Sequence, residues 1–517
     1  MRIFQIAAIV SVLTFVFYLA DIGSYGATWD ELIFHQSTGE RYFEFLKLGI
    51  LDPIVKDDES AWFPPMGVTI GYFFKQNGLL AKYLPDGIDR FHIAGIVFGS
   101  LTAGIVLLIS YLLTEDMILS VLAAIILATY PQFVTQAHNN VRDIGLTFFY
   151  AWTILMMLWG VKKQKFIFGA ITSGFLAGLT AVTKQNGVFL LIISAIFFGR
   201  FYRTVGAGKL VLMSILEGVI FIWTFIAFWP YLWVETINHI LNIWKFLTDP
   251  AIIAGSTVFF DKAYTSMKNI PFYYPWVMLF LLNPPILALM AGAGLFLSLF
   301  YFIKRDEKGL VFLWIFIPLS RFFIKTSSIS YDQIRHFFEV VPAISIAAVL
   351  FIDFLIIRFK EVKYSRLALI MCLAVTAGYN IFLTLRYRPY GTAYFNMFAG
   401  SPNYVNHAFD VEYYGNVYRE AVRELKSRYS EKVRFYTAGL GAHILQANGF
   451  LNPLTDEVES DFEYAIFMNK QSWIMDNNYV MWLINYQKPI FTIEREGKIL
   501  FYQFLPHKEE YLRENQS

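Results

Sequence analysis

Long apolar runs separated by short polar stretches fill the first three quarters of the chain. Each run comes close to the roughly 20 residues that a helix needs to cross a bilayer, and about eleven runs can be counted on that basis. They cover residues 3–20, 91–113, 117–133, 143–161, 166–183, 186–200, 210–230, 275–303, 309–324, 335–357 and 366–385. Because a helix satisfies its backbone hydrogen bonds internally, it is the element expected in lipid. The pattern therefore predicts a mainly α, polytopic membrane protein.

The basic residues of the short loops predict the orientation of these spans. They fall in alternate loops, at Lys162, Lys163, Lys165, Arg200, Arg203, Lys209, Lys304, Arg305, Lys308, Arg358, Lys360, Lys363 and Arg366. Short loops rich in Lys and Arg face the cytoplasm, so this side is predicted to be cytoplasmic, together with Arg2. An odd number of spans then places the C-terminus on the outer side.

Three long segments share the predicted outer side: the first loop, 21–90, the second loop, 231–274, and the tail after residue 385. Residues 31–50 and 234–246 mix aromatic, aliphatic and charged side chains in a pattern typical of helices that lie along the membrane interface. The tail alternates helix and strand patterns and ends in a predicted hairpin. We therefore expect a transmembrane domain over 1–385 and a small extracytoplasmic α/β domain over 386–517.

Composition agrees with a membrane protein. The chain has 517 residues, of which 56% are hydrophobic and only 16% are charged, whereas soluble domains carry about 25% charged residues. A net charge of +2 argues against a nucleic-acid partner. Cys372 is the only cysteine, which excludes a disulfide framework and favours a bacterial inner membrane over the endoplasmic reticulum.

Asp30 and Glu31 stand side by side shortly after the first apolar run. A carboxylate pair at the outer interface suits a general base or a cation site. Acidic residues also favour the first turn of a helix, so a simple capping role explains the same pattern. The local sequence leaves both interpretations open.

Cationic residues cluster at the same predicted depth. Arg142 precedes Asp143 in one short outer loop, Lys184 lies in the next, and Arg335 begins a later span. An arginine beside acceptor groups is well suited to a phosphate. Arg142 and Asp143 could instead form a local ion pair at a helix start, and Lys184 could extend to lipid headgroups.

Carboxylates in one outer loop and cations in three others suit transfer from a lipid phosphate. The departing phosphate needs positive charge, and the acceptor hydroxyl needs a base. A transporter or flippase shares the composition, but its ionisable residues are expected near the bilayer midplane rather than at the ends of the spans. A non-catalytic subunit of an assembly complex is a third hypothesis.

Three stretches resemble the motifs of bacterial membrane glycosyltransferases related to protein O-mannosyltransferases and aminoarabinose transferases. The run Tyr331-Asp-Gln-Ile-Arg335-His336-Phe, with Pro342 after it, is similar to their YDGxRH…P signature. Pro389-Tyr390 through Tyr394-Phe395-Asn396, then Gly400, resembles a PYxxxYFN…G stretch, and Asp410 to Ala421 resembles a DYWGxxYREA stretch. The Asp30-Glu31 pair is similar to the acidic motif of that family's first loop.

The resemblance implies a GT-C fold and an inverting sugar transfer on the outer face. The donor would be a polyprenyl-phosphate sugar of the undecaprenyl or dolichyl type, and the acceptor a hydroxyl of a protein, lipid or glycan. Related oligosaccharyltransferases use a divalent metal. The protein mannosyltransferases, which this chain resembles more, do not, so no cofactor or metal is expected.

The resemblance also implies roles for individual residues. Asp30 would be the base, and Glu31 would orient the acceptor or the first-loop helix. The candidates for the donor phosphate are Arg142, Lys184 and Arg335, with Asp143 and His336 beside them and Tyr331, Asp332, Tyr394 and Asn396 as further supporting residues. This scheme requires Asp30 to lie close to Arg335.

Overall fold

The computed structural model describes residues 2–49, 62–248, 256–265, 269–323 and 332–515, and most of them are helical. Within these ranges, eight helices are long and apolar enough to cross a membrane. They are Arg2–Ser24, Gly87–Thr114, Val141–Lys162, Phe166–Thr183, Ala207–Ala227, Pro285–Ile303, Arg335–Arg358 and Ser365–Tyr387. The prediction of a mainly α, polytopic membrane protein is confirmed, and eight of the predicted spans correspond to these helices.

The remaining predicted spans are shorter or bent. The run 117–133 forms two helices, Met117–Ala128 and Pro131–Asn139, which meet at an angle of 59°. Pro131 is the first residue of the second helix, and Tyr130 before it is extended, as the residue before a proline prefers. The runs 186–200 and 309–324 form helices of only 11 residues, Phe189–Gly199 and Leu310–Ser320.

A proline also divides the predicted span 275–303. The chain forms Tyr274–Leu281 and then Pro285–Ile303. Pro284 between them has an extended ψ of 137° and is followed by a second proline, so the first helix cannot continue through this point. Sequence hydropathy alone does not register such a break, because prolines are compatible with an apolar run.

Short helices occupy the loops of the predicted outer side. The first loop begins with a π-helical turn, Glu31–His35, and continues as Gln36–Leu48, followed by Met66–Gln76 and Gly78–Ala81. The second loop contains Thr236–Thr248 and a two-stranded antiparallel ribbon, Thr257–Phe259 with Lys262–Tyr264. Both predicted loop helices therefore exist. A further short helix, Tyr202–Val205, connects the apolar helices Phe189–Gly199 and Ala207–Ala227.

The tail forms a five-stranded mixed sheet with helices packed on it. In spatial order the strands are Leu454–Thr455, Phe435–Tyr436, Tyr464–Met468, Lys498–Phe504 and Phe491–Arg495. The first three are parallel, and the last two form the predicted antiparallel hairpin. The helices are Pro402–Ala408, Tyr418–Arg428, Gly441–Ala447, Gln471–Ile474, Asn478–Tyr486 and Lys508–Asn515. Gln471–Ile474 and Asn478–Tyr486 are separate helices, divided at residues 475–477.

The central strand Tyr464–Met468 joins the tail to the membrane part. Successive side chains of a strand point to opposite faces. Ile466 and Met468 belong to the large core shared with the membrane helices, whereas Ala465 and Phe467 pack into a separate cluster with the tail's own helices. The end of this strand therefore faces the membrane domain, and Lys470 follows two residues later.

A close helix contact positions the other side of the site. A Cβ atom on Gly95 would collide with the carbonyl oxygen of Ala137. Glycine therefore allows the helix Pro131–Asn139 to lie against Gly87–Thr114 at backbone distance. This contact sets where Asn140, the next residue, enters the site.

Candidate active site

Asp30 and Arg335 are in direct contact, although 305 residues separate them in sequence. The Arg335 Nη1 group donates to Oδ2 of Asp30. Both side chains are buried, with 7% of Asp30 and 3% of Arg335 exposed. The structure therefore brings together the first acidic motif and the later arginine motif, as the sequence argument required.

Arg335 is held on several sides. Its Nη2 group lies 2.8 Å from Oδ2 of Asp332, and Nη1 also donates to the hydroxyl of Tyr414 at 3.3 Å. The guanidinium lies 5.3 Å from the ring centre of Trp29 and 5.2 Å from that of Tyr414, within cation–π range. These contacts orient both donor edges of the guanidinium.

Asp332 links this centre to the tail. Its Oδ1 atom accepts a hydrogen bond from Lys470 Nζ at 2.7 Å, and neither side chain is more than 3% exposed. A buried carboxylate needs close partners of opposite charge, and Asp332 lies between two cations. The tail therefore supports Arg335 through one intervening carboxylate.

Lys184 and Asp143 form a second buried ion pair in the same site. Lys184 Nζ donates to Oδ1 of Asp143, and Asn140 Nδ2 donates to Oδ2 of Asp143 at 2.6 Å. Asn140 Nδ2 also donates to the Tyr414 hydroxyl, which connects this pair to Arg335. Burial lowers the pKa of Lys184, and the charge of Asp143 opposes that effect. Lys184 thus points into the protein rather than toward lipid headgroups.

A cavity of about 60 Å³ lies between these groups. Both ion pairs line it, together with three aromatic or imidazole side chains of the first loop and three further polar side chains. The lining residues are Asp30, Phe34, His35, Phe63, Asn140, Arg142, Asp143, Lys184, Arg335 and His336. The Arg142 guanidinium stacks 4.5 Å from the ring centre of Phe63 and donates to Gln185 at 3.2 Å. Asp143 therefore has an ion-pair partner from another loop, Lys184, while Arg142 packs on Phe63.

Glu31 points away from this cavity. It is fully buried, accepts from the backbone and hydroxyl of Thr28 at 2.9 and 3.0 Å, and lies 2.9 Å from His92 Nε2. These contacts tie the start of the first-loop helix to the Gly87–Thr114 helix. Of the two roles expected for Glu31, they suit the orientation of the first loop.

The PYxxxYFN-like stretch lies elsewhere. Asn396 Nδ2 donates to the carbonyls of Phe280 and Asn283 at 2.7 and 2.9 Å, which secures the break before Pro285–Ile303. Tyr394 stacks edge-on against Tyr387. Neither side chain lines the cavity around Asp30, and Tyr331 falls outside the described residues.

Five residues that touch this centre have no role assigned from the sequence: Trp29, His35, Asn140, Tyr414 and Lys470. Trp29 and His35 lie within one helical turn or so of the acidic pair, and Asn140 and Tyr414 stand in stretches that the sequence argument already singled out. Lys470 lies in none of these stretches, so only the tertiary structure identifies it as part of the site. In the described ranges, no group of three or more His, Cys, Asp or Glu side chains is arranged to hold a metal ion.

Comparison with solved structures identifies the fold of the chain. No family model and no curated protein matches the chain in sequence. ArnT from Cupriavidus metallidurans in the apo state is similar in structure, with a TM-score of 0.52, 11% identity and coverage of 98% of both chains. The archaeal oligosaccharyltransferase AglB from Archaeoglobus fulgidus, in complex with an inhibitory peptide and a dolichol-phosphate, has a TM-score of 0.50 and 12% identity over 92% of this chain and 71% of its own. The chain therefore has the GT-C fold of these two membrane glycosyltransferases, as the resemblance of its motifs predicted.

Proposed function

We propose that the chain is an inverting glycosyltransferase that moves a sugar from a polyprenyl-phosphate sugar to an acceptor hydroxyl on the outer face of the membrane. One observation carries the proposal: a candidate base, Asp30, and three cations line the same small cavity. General bases and charge-stabilising groups act only near contact range, so this convergence is what the reaction needs.

The charges of the cavity match a phosphodiester. Arg142, Lys184 and Arg335 supply three positive charges, and Asp30 and Asp143 supply two negative ones, which leaves one net positive charge. Burial lowers the pKa of His35, so this neighbour adds no charge near neutral pH. A polyprenyl-phosphate sugar carries one negative charge at its phosphodiester, which the excess cation would neutralise.

In the proposed reaction, Asp30 accepts the proton of the acceptor hydroxyl. The oxygen of that hydroxyl attacks the anomeric carbon of the sugar. The bond between that carbon and the phosphate oxygen breaks, and its electron pair leaves with the polyprenyl phosphate. Arg335, Arg142 and Lys184 stabilise the negative charge that develops on this leaving group. Attack opposite the leaving group inverts the anomeric configuration.

The position of the site favours an enzyme over a transporter. Asn140, Lys184 and Arg335 stand at or beside the ends of Val141–Lys162, Phe166–Thr183 and Arg335–Arg358. Secondary transporters bind their substrates near the bilayer midplane. A site at helix ends instead suits a lipid whose phosphate lies at the interface, and the AglB structure contains such a ligand, a dolichol-phosphate.

We place the reaction on the outer side of a bacterial inner membrane. This placement rests on the basic short loops, which predict the opposite side as cytoplasmic, and on the absence of a disulfide framework in a chain with one cysteine.

The test uses the purified chain in nanodiscs with radiolabelled undecaprenyl-phosphate sugars and a delipidated cell-envelope extract as the source of acceptors. We expect label to move to envelope material, with one undecaprenyl phosphate released per sugar and with inverted anomeric configuration by NMR. Labelled nucleotide sugars are the matched control. Transfer from the nucleotide sugars but from none of the lipid-linked ones would overturn the proposal.

A further inference from the structure

A second, larger cavity adjoins the candidate active site. It holds about 630 Å³, within the roughly 300–1,000 Å³ range of small-molecule sites. Trp29 lines it from the first loop, and Lys470, Trp473 and Asp476 line it from the tail. Ser256 and Thr265 of the second loop also line it, so the two long loops and the tail form it together.

Two indole rings and an ammonium group shape one end of this cavity. The rings of Trp29 and Trp473 lie 6.2 Å apart at an angle of 59°, so they form a corner rather than a stack. The Nε1 group of Trp29 donates to the carbonyl of Tyr413 at 2.9 Å, which fixes that ring. Lys470 Nζ lies 4.6 Å from the Trp473 ring centre and is itself held by Asp332.

Two other polar groups of the cavity have no partner among the described residues. Within the described part of the chain, the indole N–H of Trp473 and the carboxylate of Asp476 make no hydrogen bond or ion pair. Asp476 is exposed, and a Cβ atom built on Gly439 would meet nothing within 4 Å. Donor, acceptor and open space are thus available beside an aromatic wall.

The two cavities meet at consecutive residues. Trp29 lines the larger one and Asp30 lines the smaller one. Lys470 lines the larger one and reaches Arg335 through Asp332. A molecule bound against Trp29 would therefore present its groups next to the carboxylate proposed to deprotonate the acceptor.

We propose that the larger cavity binds the acceptor and that the acceptor is a carbohydrate. This inference rests on the proposed function and narrows its acceptor to one class. The apolar C–H face of a pyranose ring packs well on an indole face, which supplies rigid apolar area with a polar edge. The sugar hydroxyls both donate and accept, so they suit the carboxylate of Asp476 and the indole N–H of Trp473.

Binding is measured without the donor, so that it does not depend on catalysis. The full chain in nanodiscs, free of maltoside detergent because its sugar head group would compete, is mixed with methyl glycosides of glucose, mannose, galactose and N-acetylglucosamine and their β1,4 disaccharides. Saturation-transfer-difference NMR reports which protons contact the protein. We expect signals from at least one glycoside, strongest on one ring face, and their loss in Trp473→Ala.

Matched controls come from the same tail. Tyr486→Ala removes an exposed aromatic ring, and Asp456→Asn removes an exposed carboxylate, each away from the cavity; both variants should keep the glycoside signals. Asp476→Asn should weaken them. In a transfer assay, Trp473→Ala should raise KM for the acceptor by about 10-fold with a smaller change in kcat, since it removes ground-state binding.

The outcomes separate this inference from the proposed function. Glycoside binding that depends on Trp473, in a chain without transferase activity, would support the carbohydrate site and overturn the function. Transferase activity with no glycoside signal, or with a Trp473-dependent signal only from a serine- and threonine-containing peptide, would overturn the carbohydrate acceptor and leave the function standing.

Discussion

The Arg335 guanidinium contacts the Asp30 carboxylate directly. The cation proposed to hold the donor phosphate is therefore paired with the carboxylate proposed as the base. The cavity that both side chains line holds only about 60 Å³. A sugar phosphate can enter only if these side chains separate. The donor phosphate would then replace Asp30 as the partner of Arg335 and leave the carboxylate ready to accept a proton.

Asp30→Asn is expected to change activity and donor affinity in opposite directions. Transfer should fall by about 10²–10⁴-fold, the usual contribution of a general base. Binding of undecaprenyl phosphate should become tighter, because an uncharged amide no longer competes for Arg335. Initial rates measure the first effect, and isothermal titration in nanodiscs measures the second.

Glu44→Gln is the matched control for that variant. Glu44 is an exposed acid of the same first-loop helix and does not line the cavity, so neither quantity should change. Weaker phosphate binding in Asp30→Asn would show that Asp30 only maintains the shape of the site.

Arg335→Lys is expected to impair transfer although it keeps the positive charge. Arg335 uses one nitrogen toward Asp30 and the other toward Asp332, and a single ammonium group cannot reproduce that fork. We expect kcat/KM for the donor to fall by about 10²-fold, similar to the loss of one charge-stabilising donor. Steady-state kinetics with the lipid-linked sugar give this value.

Arg366→Lys provides the comparison. Arg366 is an exposed arginine that contacts Asp116 away from the site, and its replacement should leave kcat/KM unchanged. Unimpaired kinetics in Arg335→Lys would remove Arg335 from the donor site.

Lys470→Gln is expected to destabilise the contact between the tail and the membrane domain. It leaves Asp332 buried with one cation instead of two, and breaking a buried ion pair from one side costs about 3–5 kcal/mol. Asp332→Asn in the same chain should recover part of the loss, because the uncompensated charge is gone. Thermal unfolding of the single and double variants measures this coupling.

Lys488→Gln changes an exposed lysine of the same tail and should not shift the unfolding temperature. Additive effects of Lys470→Gln and Asp332→Asn would contradict the coupling between the two residues.

Glu412 is expected to make the stability of the tail depend on pH. Burial raises the pKa of Glu412 to about 7, above its ordinary value of 4.5, against the hydrogen bonds from the backbone of Tyr414 and Gly415. The folded state then keeps a proton that the unfolded state releases. The contribution of Glu412 to the free energy of unfolding is therefore fully present below about pH 4.5 and is lost as pH rises through 7. The fall is worth about 3 kcal/mol by that shift.

Glu412→Gln should remove this part of the pH dependence. We expect the difference in unfolding temperature between the original chain and the variant to change between pH 4.5 and 7 and to be constant above pH 7. A constant difference across the whole range would contradict the raised pKa.

The secondary structure of the chain could be predicted from sequence wherever the physical cause is local. Apolar length predicted the membrane helices, because the bilayer sets that length. Runs of aromatic and aliphatic residues predicted the closing hairpin of the tail, which contains the strand Lys498–Phe504, because such side chains suit a half-buried sheet. The breaks at Pro131 and Pro284 were missed because hydropathy does not register the geometry that proline imposes.

The candidate site could be predicted only in part. Asp30 and Arg335 stood out because each belongs to a recognisable motif, and the structure brings them together. Glu31 stood beside Asp30 in the sequence, yet one residue along a helix turns a side chain by about 100°, and Glu31 faces His92 instead of the cavity.

By itself the sequence determined the membrane character of the chain, most of its membrane helices, the closing hairpin of the tail, and the two motifs that carry the acid and the arginine. Only the tertiary structure decided that Lys184 pairs with Asp143 rather than reaching the lipid, and that Lys470 and Trp473 of the tail stand beside Trp29. The physical reason is that burial and charge pairing depend on which distant segments fold against each other. A pattern of neighbouring residues does not determine those long-range contacts.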